Sequence, residues 1–255
     1  MTWVWLRGLA RETGHWGGLP KQAEKLLGEP VVTIDLPGFG RFSDRDAPVK
    51  TRKVVEFLIE QTQNLTQIHV LGVSLGGLIA LEWASVDQRI VSVTAVNSSN
   101  RLCSIHHRLN FSKALKLLAA FVTTDRASIR ESKILSVVSN QENKVRRVHD
   151  LWSEIARRRP VAIKQVLRQL FMAATAPIVN PKLLQQCRVT FITSEHDQLV
   201  SSRCSHILAS FYSANLLVHP TAGHDLPLDD PQWLLMQLPI VQSHTESAQP
   251  KASDV

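Results

Sequence analysis

Only three of the 255 residues are cysteine, three are methionine and one is tyrosine. Cys103, Cys187 and Cys204 are odd in number and widely spaced, which argues against a disulfide framework and fits a reducing compartment. Long apolar runs are missing as well. The longest, Leu117–Val122, falls far short of the roughly 20 residues needed to cross a bilayer. The amino terminus carries no basic stretch ahead of an apolar block and no small-residue cleavage pattern, so no signal peptide is expected and the protein is read as cytoplasmic. Basic residues are not interleaved with aromatics, which argues against a nucleic-acid surface despite a net charge of +7. Cys103, His106 and His107 lie close together without a second ligand pair, so neither a metal nor a cofactor is expected. No internal repeat is found.

What is present is a chain that is 44% hydrophobic, long enough to bury one large core. Its charge is unevenly placed. Residues 101–180 hold 15 Lys or Arg against 5 Asp or Glu, a balance of +10, and the rest of the chain sums to −3. Short apolar runs alternate with helical patterns over residues 1–100 and again over 186–241, the signature of a doubly wound, mostly parallel α/β sheet with crossover helices. Expected strands are Trp3–Leu6, Val31–Asp35, Ile68–Gly72, Val91–Val96, Val189–Thr193 and Asn215–His219. Expected helices are Lys21–Leu27, Thr51–Gln61, Leu75–Ala84, Ser202–Ser210 and Pro231–Gln237.

Between residues 101 and 180 apolar residues recur only at helical spacing, at Val145, Val148, Leu151, Trp152 and Ile155 and then at Ile163, Val166, Leu167, Leu170 and Phe171. A helical cap inserted after the fourth strand is expected there, over the carboxyl ends of the strands where open α/β sheets bind ligands. The core then comprises residues 1–100 and 181–242, and residues 243–255, rich in Ser, Gln, Thr and charge, form a disordered tail.

The strongest chemical signal runs from Gly72 to Gly77, around Ser74, between an apolar strand and an apolar helix. A sharp strand-to-helix turn exposes a serine hydroxyl, and small residues two before and two after it avoid collision. The new helix also points its positive end and the Leu75 N–H at the site, where they can stabilise an oxyanion. A serine hydroxyl needs a base, and the base needs a group to fix its tautomer. Asp197, Glu195, Asp225, Asp229 or Asp230 could supply the carboxylate, and His224, His196 or His219 the base; Asp229 and Asp230 better suit capping a helix that begins at Pro231.

The order serine, acid, histidine resembles that of the α/β-hydrolase superfamily. The stretch from Thr193 to Val200 is similar to that family's acid loop, and Thr221 to Pro231 to its histidine loop. The resemblance implies a metal-free triad of Ser74, Asp197 and His224. It places a second oxyanion donor at the Leu9 N–H in Leu6-Arg7-Gly8-Leu9, where Arg7 stands in place of the usual His, and an aromatic substrate contact at Trp16. The antiparallel hairpin with which most members begin has no counterpart, so about six strands are expected where eight are usual.

Serine at position 74 argues against the dehalogenase and epoxide hydrolase branches, which place Asp there, and leaves acyl transfer to water. Lys113, Lys116, Lys144, Arg147, Arg157, Arg159, Lys164 and Arg168 outnumber the acids around them, while Glu142 with Arg146 and Glu154 with Arg158 are spaced to pair. An unpaired basic cap implies an anionic substrate or partner. The motifs Asp35 to Arg41 and Ser74 to Gly77 resemble those of the pimeloyl-[acyl-carrier protein] methyl ester esterases, which would make an acidic acyl carrier protein a docking partner on this cap, Arg158 included. Two alternatives are a small-molecule carboxylesterase or thioesterase with a solvated basic cap, and a non-catalytic ligand-binding protein on the same fold.

Overall fold

Along β1 (Thr2–Leu6) the side chains alternate. Trp3 and Trp5 enter the core on one side of the sheet, Val4 and Leu6 on the other, and all four are fully buried, as the two-residue period of a strand covered on both faces requires. The computed structural model describes residues 1–122, 124 and 126–238. Among them lie β2 (Val31–Ile34), β3 (Ile68–Val73), β4 (Ile90–Val96), β5 (Arg188–Ser194) and β6 (Asn215–His219), in the order β2-β1-β3-β4-β5-β6. Every pairing is parallel, one step beyond the mostly parallel sheet expected.

Helices α1 (Leu19–Leu27), α2 (Thr51–Gln61) and α3 (Leu75–Ala84) follow the first three strands. Helices α4 (Ile105–Arg108), α5 (Phe111–Val122), α6 (Ala127–Val138), α7 (Glu142–Arg158) and α8 (Ile163–Thr175) come in succession between β4 and β5, where the helical cap is expected. Helices α9 (Arg203–Tyr212), α10 (Leu226–Asp229) and α11 (Pro231–Met236) complete the chain as described; the tail expected at 243–255 lies outside the described residues. Leu19, Ala23 and Leu27 of α1 pack with Leu234 and Leu235 of α11 on one face of the sheet, and α2, α3 and α9 cover the other. No helix among the described residues is long and apolar enough to cross a membrane.

β2 is an edge strand, and Val32 on it is 38% exposed. Two of its backbone groups are occupied by side chains: the Val31 N–H donates to Glu24 Oε1 at 3.0 Å, and the Thr33 carbonyl accepts from Arg41 Nη2 at 3.4 Å. Such occupation blunts an edge against pairing with another chain. The cap departs from the expected stripes. Trp152 and Val166 are buried, but Leu151, Leu167 and Phe171 lie about half exposed; α8 instead turns Val166, Gln169 and Met172 inward.

Helix α3 is buried along its entire length, because it crosses the strand ends at backbone contact. A Cβ on Gly76 would lie 2.6 Å from the Leu6 carbonyl oxygen and 2.9 Å from that of Arg7, and a Cβ on Gly72 would overlap the backbone of Gly76. Neither neighbour is a flexible side chain. We therefore expect Gly76→Ala to cost about 2 kcal/mol through overpacking and to lower Tm by at least ~4 °C. A thermal melt unchanged within error would show that β1 and α3 are not locked together in this way.

Candidate active site

The chain turns from β3 into α3 at Ser74, which adopts φ 54° and ψ −115°. Left-handed backbone at a non-glycine residue costs energy and persists only where its surroundings enforce it. Here they do. The Ser74 N–H donates to the Val96 carbonyl at 2.7 Å, the Ser98 hydroxyl donates to the Ser74 carbonyl at 2.7 Å, and Gly8 comes so close that a Cβ there would sit 3.1 Å from the Ser74 Cβ. Gly8 thus brings Leu9 to the serine, and no hydrogen bond among the described residues occupies the N–H of Leu9 or of Leu75.

The acid loop leaves β5 and the histidine loop leaves β6, at the same end of the sheet. His224 Nδ1 meets Asp197 Oδ2 at 2.7 Å, and the other oxygen of Asp197 accepts the N–H groups of Leu199 and Val200 at 2.8 and 3.0 Å. All three bonds fix the plane of the carboxylate. No hydrogen bond among the described residues joins Ser74 Oγ to His224. Burial by itself pushes the His224 pKa down, but the charge and hydrogen bond of Asp197, helped by Asp225 and opposed by Arg7, outweigh it and hold the imidazole above its ordinary 6.5.

The competing residues are engaged elsewhere. Asp230 accepts from the Trp233 N–H and caps α11 as expected. Asp229 does not cap. It is buried and accepts from the Ser139 hydroxyl, the Asn140 N–H at 3.0 Å and the Gly223 N–H at 2.7 Å, tying the end of α6 to the histidine loop. His219 Nδ1 accepts from the backbone of Thr221 and Ala222, a turn-forming role. Glu195 and His196 are exposed.

Arg7, the departure from the usual His, is 4% exposed and grips Asp225 with both ends of its guanidinium, at 3.2 and 2.5 Å. The excess charge beside the site is thereby neutralised by the residue that follows His224. Trp16 was expected to touch substrate. Its ring is only 4% exposed, stacked under Arg7 at 4.7 Å and packed on Trp5, because it shields a buried cation.

The expected basic docking surface is largely satisfied internally. Arg157 and Arg158 both reach Glu154, Arg159 reaches Glu12 at 2.8 Å, Lys164 reaches Asp46 at 3.2 Å, and Arg168 donates to the Ala47 carbonyl at 2.5 Å. The acids missing from residues 101–180 come from the core, so the expected surplus at Arg159 and Lys164 is corrected. Glu142 pairs with Arg146 as its spacing implies. Lys113 donates to Gln198 Oε1, whereas Lys116 and Arg147 have no ion-pair partner among the described residues. No three His, Cys, Asp or Glu side chains converge as metal ligands among the described residues.

The family model for the alpha/beta hydrolase family matches residues 3–236. The chain belongs to the alpha/beta hydrolase family. Similar solved structures include a meta-cleavage product hydrolase from Pseudomonas fluorescens, with a TM-score of 0.76 at 16% identity over 97% of this chain and 91% of that one. A 2-hydroxy-6-oxo-6-phenylhexa-2,4-dienoate hydrolase from Rhodococcus superposes with a TM-score of 0.70 at 22% identity, covering 96% and 90%. A lipase-esterase related protein from Clostridium acetobutylicum gives 0.69 at 16% identity over 92% of each chain. At these identities the likeness concerns the fold alone. No curated protein matches the sequence.

One residue of this site has no sequence signal. Asn97, at the end of β4, is 1% exposed with φ 48°, and its side chain ties three segments together. Oδ1 accepts the Ser194 N–H at 2.7 Å, and Nδ2 lies 3.0 Å from Ser194 Oγ, 3.3 Å from the Gly223 carbonyl and 2.9 Å from the His224 carbonyl. Asn97→Ala would strand buried donors and acceptors, at about 1–3 kcal/mol per unsatisfied group. We expect an overall loss of about 3 kcal/mol and a Tm lower by about 6–12 °C, read by calorimetry. A melt within 2 °C of the parent (about half a kcal/mol) would mean that water replaces the amide without loss.

Proposed function

We propose that the protein is a serine carboxylic-ester hydrolase that works through an acyl-enzyme, with residues 101–180 as a cap on a core of 1–100 and 181–242. The observation that carries this reading is the buried His224–Asp197 bond of 2.7 Å at the end of the sheet where Ser74 is held in left-handed backbone. His224 Nε2 takes the proton of Ser74 Oγ as the oxygen attacks the ester carbonyl, while Nδ1–H remains bonded to Asp197, which stabilises the imidazolium. The N–H groups of Leu9 and Leu75 receive the developing oxyanion. His224 then protonates the departing alcohol, and a water, activated by the same histidine, releases the acid.

Docking of an acyl-carrier-protein ester is the narrower form of this reading. Its support is the loop resemblance at Asp35 to Arg41 together with the outward cations Lys116 and Arg147; the internal pairing of Arg157, Arg158, Arg159 and Lys164 weakens it. A small-molecule ester or thioester fits the same geometry without a docking surface.

Ser74→Ala and His224→Ala should each lower hydrolysis of p-nitrophenyl acetate by about four to six orders of magnitude with the melt preserved, since triad members act as a unit. Unchanged turnover in Ser74→Ala would remove the serine-hydrolase reading, and no turnover above the protein-free blank in the parent would leave a non-catalytic ligand-binding protein. The pH profile follows from the raised pKa of His224. Only neutral imidazole accepts the Ser74 proton, so kcat/KM should climb with pH through a midpoint above 6.5. Asp197→Asn removes the main raising influence and should move the midpoint down while cutting kcat about 10^4-fold. A midpoint unmoved by Asp197→Asn would separate the acid from the base.

A further inference from the structure

His224 has two buried acids beside it, and the mechanism above uses one. The second, Asp225, directly follows the base in the chain and is 4% exposed. Its partner Arg7, buried to the same degree, directly precedes Gly8, the residue that lies against Ser74. Both oxygens of Asp225 are committed to the guanidinium, Oδ1 to Nη1 at 3.2 Å and Oδ2 to Nη2 at 2.5 Å. Arg7 Nε is buried without a partner, so among the described residues every hydrogen bond of this guanidinium goes to Asp225. A buried ion pair adds little stability over apolar residues of the same volume, so packing gives no reason for charge in this position.

The surroundings sharpen the effect of the pair. The Arg7 guanidinium lies 4.7 Å from the ring of Trp16 and 6.0 Å from that of Trp152 on the cap, both of them buried. With water excluded, charges here act on one another more strongly than in solvent. Besides burial, which lowers the pKa of His224, three charged groups act on the imidazole: Asp197 from the acid loop and Asp225 from its own loop raise it, and Arg7 from the loop after β1 lowers it. Asp229, another buried acid of this region, is bound to Ser139, Asn140 and Gly223. Without Arg7, two uncompensated carboxylates would flank the imidazole and favour the imidazolium before any serine proton had been taken. Arg7 leaves one. The charge of Asp197 then stabilises the imidazolium as it forms, without forming it in advance.

We propose that Arg7 is a positioning residue that acts through Asp225: it engages both oxygens of that carboxylate and cancels its charge, so that Asp197 remains the one uncompensated acid beside His224 and the imidazole stays a base. The inference rests on the hydrolase reading above, and two readouts keep the two apart. The first needs no turnover. The ring of His224 is titrated by NMR in the whole protein, its signal assigned by its loss in His224→Gln. Arg7→Gln, which keeps a donor to Asp225 but no charge, should move the midpoint up by about one pH unit. Arg7→Lys, with the charge restored, should bring it most of the way back, and Asp225→Asn should move it down. The second readout is hydrolysis of p-nitrophenyl acetate. At about pH 6, Arg7→Gln should lose about tenfold in kcat/KM, the same shift expressed as a rate, and should regain most of it by about pH 9; a purely structural loss would be equal at both. A midpoint unmoved in Arg7→Gln and in Asp225→Asn, or failure of both variants to fold, would assign the pair to stability alone and overturn the proposal. Midpoints that shift as expected in a protein that hydrolyses no ester would support the role of Arg7 while the hydrolase reading alone falls.

Discussion

The contact on which the rest of the molecule depends is the crossing of α3 over the ends of β1 and β3 with no side chain between them. Glycine at 72 and 76 lets the helix begin directly against two strands, and the chain can make that turn only by forcing Ser74 into positive φ. The strain is held by bonds from three directions: the Val96 carbonyl, the Ser98 hydroxyl and the wall formed by Gly8. Loosening any of them would let the serine relax toward ordinary backbone and withdraw its hydroxyl. Close approach also places the end of β1 beside the elbow, which is why Gly8 comes directly against Ser74.

Around this fixed point the cap is attached by charge as much as by apolar packing. Arg11 with Glu131, Arg159 with Glu12, and Asp229 with the end of α6 all bridge residues of the cap to residues of the core, and most of these side chains are buried. A buried ion pair adds little net stability over an apolar contact, but breaking one partner away is costly. Such a seam specifies one seating of the cap. It also couples that seating to the histidine loop, because Asp229 binds Gly223 and the Asp225 N–H donates to the Val138 carbonyl of α6 at 2.7 Å. Movement of α6 would therefore reach His224 through two backbone contacts.

The sheet was legible because its signals are local. Apolar alternation, glycine turns and helical periodicity lie within ten or so residues, and each of the six strands and five core helices is found within about two residues of its expected ends. The elbow around Ser74 and the two loops are equally local. Partnerships across the chain were not legible: Arg7 and Asp225 are 218 residues apart, and nothing in either segment announces the other. The same holds for Arg159 with Glu12 and Lys164 with Asp46, which turned an apparent surplus of surface charge into pairs. Asp229 was misread for a related reason, since an acid before Pro231 has the local look of a cap while its carboxylate is claimed by residues 90 positions away. Asn97 carried no local sign at all, because its function is to join three loops that meet only in the folded chain.

Charge counted along a sequence is therefore a poor guide to where a charged ligand binds, and the reason is energetic. An exposed cation costs almost nothing to leave unpaired, since water solvates it, so the many arginines and lysines on the outer faces of α7 and α8 say little about partners. A cation withdrawn from water is different. It must find an acid, a carbonyl or an anion, or the fold bears the desolvation penalty. Arg7 finds Asp225, and Arg11 finds half of what it needs in Glu131. Arg130 lies over the Phe121 ring, and none of its nitrogens is buried without a partner, so water solvates it and it needs no acid. At the seam where Arg11 meets Glu131 of α6, Arg11 Nη2 alone is buried without a partner, so the ion pairs that fix the seating of the cap leave part of one cation's bonding capacity unused.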